Sequence, residues 1–130
     1  MRRTSRELVS ETLKLLYPVI IIFGFYLVIY GHQGPGGGFQ GGVVLASSYI
    51  IKYIADGKTS LNLKKINYME KVLYFLLVLF TALIMINSLD LVPVDFRKYV
   101  IVVLNILIGF KVCLATLVIF FRFVIYEDVR

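Results

Sequence analysis

The sequence has little charge and few of the residue types that form catalytic or metal sites. Charged residues occupy 17% of its 130 positions, and it contains one cysteine, one histidine and no tryptophan. The single cysteine, Cys113, excludes an internal disulfide and any multi-cysteine metal or iron–sulfur site. One histidine, with no acid inside the apolar runs, excludes a nucleophilic triad and a histidine metal cluster. We therefore expect no catalytic centre, no metal and no cofactor.

Most of the sequence consists of long apolar runs. Hydrophobic residues make up 59% of the chain, which leaves too few polar side chains to cover a soluble domain. About 20 apolar residues in a helix cross a hydrocarbon core of about 30 Å. The runs predict an all-α integral membrane bundle, a single transmembrane domain over residues 1–130 with four spans. These spans cover residues 13–30, 41–54, 72–88 and 99–125.

The first two predicted spans each have an irregularity. The first follows a basic N-terminus as a signal peptide would, but it is too long and lacks a small-residue cleavage site, so we interpret it as a retained span. Pro18 lies near its start, where a missing amide donor is least harmful. The second is short, and it crosses the membrane only if Lys52 snorkels or the preceding loop dips inward. Three spans with a half-inserted second segment is the alternative.

The basic residues flank the apolar runs and do not form one face or tail. The formal charge of +6 therefore indicates contact with lipid headgroups, and we expect no nucleic-acid partner. In a four-span arrangement, only Arg97 and Lys98 lie on the opposite side from the other flanking cations. This asymmetry predicts a multi-pass protein of the cell membrane with both termini in the cytoplasm. The larger set comprises Arg2, Arg3, Arg6, Lys14, Lys52, Lys58, Lys64, Lys65, Lys71, Arg122 and Arg130.

Seven of the ten glycines lie within residues 31–42, between the first two predicted spans. Glycine allows neighbouring backbone to approach closely, and ordering so many glycines requires contacts that hold them. The segment fits G-x-G-x-x-G, but no strand precedes it and an apolar run follows, so dinucleotide binding is a poor interpretation. We predict a tightly packed structural loop at a membrane surface. Its key residues are Gly34, Pro35, Gly36, Gly37, Gly38, Phe39, Gly41 and Gly42.

His32, the only histidine, has two interpretations. An imidazole titrates near neutral pH, so His32 is a candidate for an ion or proton pathway. The alternative is an interfacial residue that caps the end of the first span through Gln33 or through backbone groups. The second interpretation is favoured, because no carboxylate lies near His32 in the sequence.

Lys111 lies close to the centre of the fourth predicted span. A lysine at that depth raises the free energy of insertion by at least about 2.5–3.5 kcal/mol, and such residues usually face a partner or an aqueous path. No acid of this chain reaches that depth, so the partner is backbone, hydroxyl, water or a carboxylate of another subunit. Ala115, Val118 and Arg122 share its helix face and are candidate subunit contacts. Lys111 is thus either an ion-pathway residue or an anchor between subunits.

The most specific motif runs from the first predicted span into the second. Its pieces are Pro18-x5-Gly24-x-Tyr26, Gly31-His32, Pro35-Gly36-Gly37-Gly38-Phe39 and Gly41-Gly42-Val43-Val44-Leu45-Ala46. Together they resemble the MnhB/MrpB-like family, one of the membrane subunits of the Mrp-type multisubunit sodium/proton antiporters. The resemblance implies a non-catalytic subunit that contacts other membrane subunits and takes part in the movement of Na⁺ or H⁺.

The fourth predicted span departs from the stand-alone antiporter pattern. That pattern implies an aspartate-glycine-valine-tyrosine sequence where this chain reads Gly109-Phe110-Lys111-Val112. This region is more similar to the MrpB-like relatives in the membrane arms of hydrogenases and sulfur-reducing complexes. The resemblance thus implies a sodium-translocating module within a redox-driven complex, with the corresponding subunit of a stand-alone antiporter as the alternative.

Two other classes of protein compete with this interpretation. A self-sufficient small transporter or channel would need a homo-oligomer with a polar-lined pore, and the spans contain few polar residues. A membrane enzyme acting on lipid would need clustered acids or histidines at the interface, and the sequence has no such cluster.

Overall fold

A computed structural model describes residues 2–57, 62–87 and 93–128. They form four helices, α1 (Arg2–Tyr30), α2 (Gly38–Asp56), α3 (Leu63–Asn87) and α4 (Val94–Asp128), with no strand in these ranges. The prediction of an all-α protein with four helices is confirmed. The predicted end of the third span at Ser88, and the basic residues Lys58 and Arg130, lie outside the described ranges.

Three of the helices are long and apolar enough to cross a membrane: Thr4–Tyr30, Leu63–Ile86 and Asp95–Val124. Their helices continue beyond the predicted spans, because backbone hydrogen bonding does not stop where the apolar run stops. At 1.5 Å per residue, the 35 residues of α4 extend about 52 Å, well beyond the hydrocarbon core.

Helix α2 is the shortest, and it is not one of the three helices that are long and apolar enough to cross a membrane. It nevertheless lies antiparallel to α1 along its whole length. Gly41 is beside Val28, Leu45 is beside Gly24, and near its far end the Lys52 ammonium lies 5.3 Å from the ring centre of Tyr17. Its 19 residues extend about 28 Å, close to the hydrocarbon thickness. This geometry favours four spans over a half-inserted second segment.

Pro18 lies well inside α1, which already begins at Arg2. The expectation that proline falls near the start is therefore wrong for the helix as a whole. Its ring nitrogen cannot donate to the carbonyl of Lys14, one turn earlier. Transmembrane helices tolerate such a break where neighbouring groups satisfy the carbonyl.

The helices alternate in direction, so the start of α1 and the end of α4 lie at the same end of the bundle. Helix α2 runs parallel to α4, because Gly38 contacts Asn105 near one end and Tyr53 contacts Phe121 near the other. Helices α1, α2 and α4 pack together, whereas α3 packs only against α4 in the described part of the chain.

An aromatic cluster between α2 and α4 forms the buried core nearest the chain ends. Ala46, Leu117 and Phe121 are buried there. The Tyr53 ring packs edge-on against Phe121 with centroids 5.1 Å apart, and Tyr49 packs in the same way at 6.2 Å. Aromatic pairs of this geometry stabilise by about 0.5–1.5 kcal/mol each beyond their buried area. The cluster fixes the register of α2 on α4.

Candidate functional site

The glycine-rich segment is only partly a loop. The turn covers residues 31–37, and α2 begins at Gly38, so Gly38, Phe39, Gly41 and Gly42 are helical. This corrects the predicted loop over residues 31–42. Helix α2 contributes its glycines to a contact zone with α1 and α4, which we call the glycine seam. It comprises Gly24, Gly38, Gly41, Gly42 and Gly109, whereas Gly31 packs against Gly37 within the turn.

The glycine seam brings helix backbones into direct contact. A Cβ atom on Gly42 would lie 2.5 Å from the carbonyl oxygen of Gly109, and one on Gly38 would lie 2.6 Å from that of Asn105. A Cβ atom on Gly41 would collide with Val28 of α1. Only glycine fits at such distances, and dispersion contacts between close backbones are what holds membrane helices together. The glycines therefore lock three helices into one arrangement.

Within the turn, the glycines differ in what they do. Gly36 and Gly37 have φ values of 134° and 148°, a backbone region that side chains other than glycine's rarely adopt. A Cβ atom added to Gly34 would meet nothing within 4 Å, and Pro35 is exposed. Phe39 projects from α2 and is 65% exposed, so the tight packing predicted for the whole segment does not include its ring.

His32 follows the last turn of α1 and bonds back to it. Its Nδ1 atom lies 3.0 Å from the carbonyl oxygen of Ile29, so a protonated Nδ1 donates a hydrogen bond to a carbonyl that the helix leaves free. This geometry fits the predicted capping role through the backbone. Its Nε2 atom is enclosed and has no hydrogen-bond partner among the described residues. In that tautomer Nε2 is an acceptor that receives no hydrogen bond from the described residues.

Lys111 meets an aromatic ring of its own chain. Its ammonium nitrogen lies 4.2 Å from the ring centre of Tyr74, on α3. A cation over an aromatic face gains about 0.5–2 kcal/mol, less than the 2.5–3.5 kcal/mol or more, by order of magnitude, that burying a lysine in a bilayer costs. The ring therefore stabilises the charge only in part. Sequence reasoning named oxygen atoms and water as partners and missed Tyr74.

The residues that share the Lys111 face differ in how far the chain itself buries them. Val118 is only 7% exposed within the chain, so it is not a surface that another subunit could contact. This corrects the prediction for Val118. Ala115 is half-buried and Arg122 is exposed, and both remain available.

Helix α4 thus presents two different faces at one level. Gly109 and Val112 contact α2, while Lys111, between them in sequence, contacts α3. Lys111 lies six residues beyond Asn105, about 9 Å along the axis from the level at which Gly38 begins α2. No hydrogen bond or ion pair joins Lys111 to His32 in the described structure. Over the same residues no group of acids, histidines and cysteine is arranged to hold a metal ion.

These features define a class: a small helical membrane protein, packed backbone to backbone through glycine, with one cation deep inside an apolar helix. Comparison with known families makes the assignment specific, because a family model described as a domain related to the MnhB subunit of Na⁺/H⁺ antiporters matches residues 8–126. The chain belongs to this family.

Individual relatives match over shorter segments. The chain is 37% identical over 68 residues to the B-type subunit of the Na⁺/H⁺ antiporter of Bacillus subtilis, covering 52% of this chain and 48% of that protein. It is 43% identical over 52 residues to a putative antiporter subunit mnhB2 of Staphylococcus saprophyticus, covering 39% of this chain and 37% of that protein. The matched segments thus span about half of these relatives' lengths or less. No solved structure matches the chain.

Proposed function

We propose that this chain is a non-catalytic membrane subunit of a multisubunit Na⁺/H⁺ antiporter module, and that it helps to form the path of the transported cation or proton. The family assignment and the similarity to the Bacillus antiporter subunit support the antiporter role. The module lies in the cell membrane, and both chain ends lie in the cytoplasm, where the flanking lysines and arginines are concentrated.

The observation that carries the pathway role is the position of Lys111. Its ammonium group lies over Tyr74 in an apolar helix, with no carboxylate within ion-pair distance among the described residues. A charge that is only partly stabilised at such a position indicates function. There the ammonium is a charged group that a Na⁺ or H⁺ passing through the apolar bundle must meet. His32, with its unpartnered Nε2 near the turn, is the second pathway candidate.

The experiment that tests this role is Lys111→Ala in the intact complex. Removing the ammonium leaves the glycine seam untouched, so the subunits should assemble as before, whereas Na⁺-dependent proton exchange in vesicles should fall at least about tenfold. The matched control is Lys52→Ala, which removes a cation at the end of the bundle. If the Lys111 variant exchanges Na⁺ at the wild-type rate, Lys111 has no pathway role.

The wider complex has two candidates. The Gly109-Phe110-Lys111-Val112 stretch favours a module in the membrane arm of a hydrogenase-type or sulfur-reductase-type complex, and the relatives' names favour a stand-alone antiporter. Of these we propose the redox complex. Purification through a tag on this chain separates them, because iron–sulfur proteins co-purify only in the first case. Antiporter subunits alone would contradict the redox assignment.

A further inference from the structure

The packing of α3 leaves an open groove beside Lys111. Helices α2 and α3 both contact α4 but do not contact each other in the described part of the chain, so a groove remains between them along α4. Ala115 is half-buried there, one turn beyond Lys111, and Ile119 is 70% exposed one turn further. Tyr74, which forms the α3 side at Lys111, is 57% exposed although it contacts the ammonium.

Helix α2 supplies the opposite wall of the groove. Gly38 and Gly42 contact α4, and Gly41 and Leu45 contact α1. Since successive residues turn by about 100° in a helix, the residues that follow Gly38 and Gly42 face away from α1 and toward the side of α3. These residues are Phe39 and Val43, and both are exposed. The α2 wall of the groove is therefore apolar, the α3 wall at Lys111 is the Tyr74 ring, and the floor carries a small residue and one cation.

The chemistry of this groove specifies its occupant. A lipid chain could cover the apolar walls, but it would leave the ammonium at the same depth with only an aromatic face. A carboxylate on a transmembrane helix supplies both the apolar cover and the missing countercharge, and Ala115 allows a helix to approach closely. We propose that a transmembrane helix of another subunit docks in this groove and places an aspartate or glutamate against Lys111.

The pair predicts an unequal response to neutral and charge-reversing substitutions. In Lys111→Met the facing carboxyl group can take up a proton and remain buried as a neutral acid. In Lys111→Glu two carboxyl groups would face each other, which opposes docking. We expect co-purification of the partner subunit to fall at least about tenfold for Lys111→Glu and no more than about twofold for Lys111→Met. Each yield is normalised to the amount of this chain in the membrane.

A direct test is zero-length crosslinking of the assembled complex. A membrane-permeant carbodiimide activates a carboxyl group, and the Lys111 amine then displaces the activating group to form an amide. We expect mass spectrometry to identify a peptide containing Lys111 joined to an aspartate or glutamate in an apolar segment of a different subunit. Lys111→Arg is the control, because its guanidinium should support assembly yet form no such amide.

The absence of a Lys111 crosslink in the assembled complex would overturn the proposal, and so would equal losses of the partner subunit for Lys111→Met and Lys111→Glu. A crosslink to a second copy of this chain would do the same. The docking proposal rests on the proposed antiporter function only because it requires other membrane subunits. The docking and the pathway role of Lys111 can be contradicted independently. If Lys111 forms the crosslink but Lys111→Ala exchanges Na⁺ normally, the docking proposal stands and the pathway role is wrong. If Lys111→Ala impairs exchange but Lys111 forms no crosslink, the pathway role stands and the docking proposal is wrong.

Discussion

The glycine seam and the contact between α3 and α4 use α4 in opposite ways. At the seam, the glycines allow backbone and aliphatic side chains of neighbouring helices to lie against each other, and no charged residue is among these contacts. On the other side, α3 meets α4 through side chains, a lysine lies over a tyrosine, and much of α3 is exposed. The close contacts at the seam allow only one arrangement of α1, α2 and α4, whereas α3 is held only by its contact with α4 in the described part of the chain.

The difference indicates that the glycine seam fixes the helix arrangement, whereas the side of α4 that faces α3 carries the charged residue. A membrane helix gains little from apolar contact alone, because lipid is equally apolar, so close backbone packing must supply the fixed scaffold. The scaffold then holds Lys111 at a set depth on the face of α4 that α2 does not use. Substitutions should therefore have the largest effects on assembly in the seam and smaller, more local effects at α3.

The most damaging substitution should be Gly42→Val. Its Cβ atom would lie 2.5 Å from a backbone oxygen and 2.9 Å from the Cβ atom of Val112, and neither can move without shifting α4. We expect the yield of assembled complex to fall at least about tenfold, because two rigid clashes place the cost at or above the upper end of the about 1–3 kcal/mol typical of overpacking, and about 1.4 kcal/mol already changes an equilibrium tenfold. Size-exclusion chromatography in detergent measures this. Gly34→Val, at an open position, is the control and should assemble normally.

A smaller effect is expected for Gly37→Val in the turn. Here the limit is the backbone, since φ is 148°, while the nearest atom to an added Cβ is the flexible Gln40 side chain at 3.4 Å. Strain of this kind destabilises by about 1–3 kcal/mol, so the assembled fraction should fall but remain measurable. A yield equal to that of the wild type would show that the turn can relax without disturbing the seam.

The smallest effect should come from Tyr74→Leu, on the other side of α4. It removes an attraction of about 0.5–2 kcal/mol and leaves the seam intact, so the fraction of complex surviving mild heating should fall only slightly. Phe75→Leu is the matched control, because that ring is also exposed and does not contact Lys111. Tyr74→Phe keeps the aromatic face and should behave as the wild type. Equal losses of assembled complex for Tyr74→Leu and Gly42→Val would contradict the claim that the glycine seam, and not the contact between α3 and α4, fixes the helix arrangement.

The sequence predicts the helices well because hydropathy and length act locally. It also identifies glycine packing as the main feature of residues 31–42. It could not separate the helical glycines from those in the turn, since glycine disfavours helix in isolation and only the contacts with α1 and α4 offset this. Gly24 and Gly109, which complete the seam, are single glycines inside apolar runs, and nothing local distinguishes them.

The surroundings of Lys111 were beyond sequence reasoning for a related reason. Tyr74 lies 37 positions earlier, and its contact with Lys111 depends on the relative register and rotation of α3 and α4. The burial of Val118 depends on the same rotation. Periodicity placed Val118, Ala115 and Lys111 on one face but could not say which neighbour that face meets.

Helix α2 has a consequence for how the protein enters the membrane during synthesis. It is not among the helices that are long and apolar enough to cross a membrane by themselves, and its glycines are covered by α1 on one side and by α4 on the other. Helix α1 is already present when α2 leaves the ribosome, but α4 is made last. The contacts of Gly38 and Gly42 with α4 can therefore form only after α4 has been synthesised.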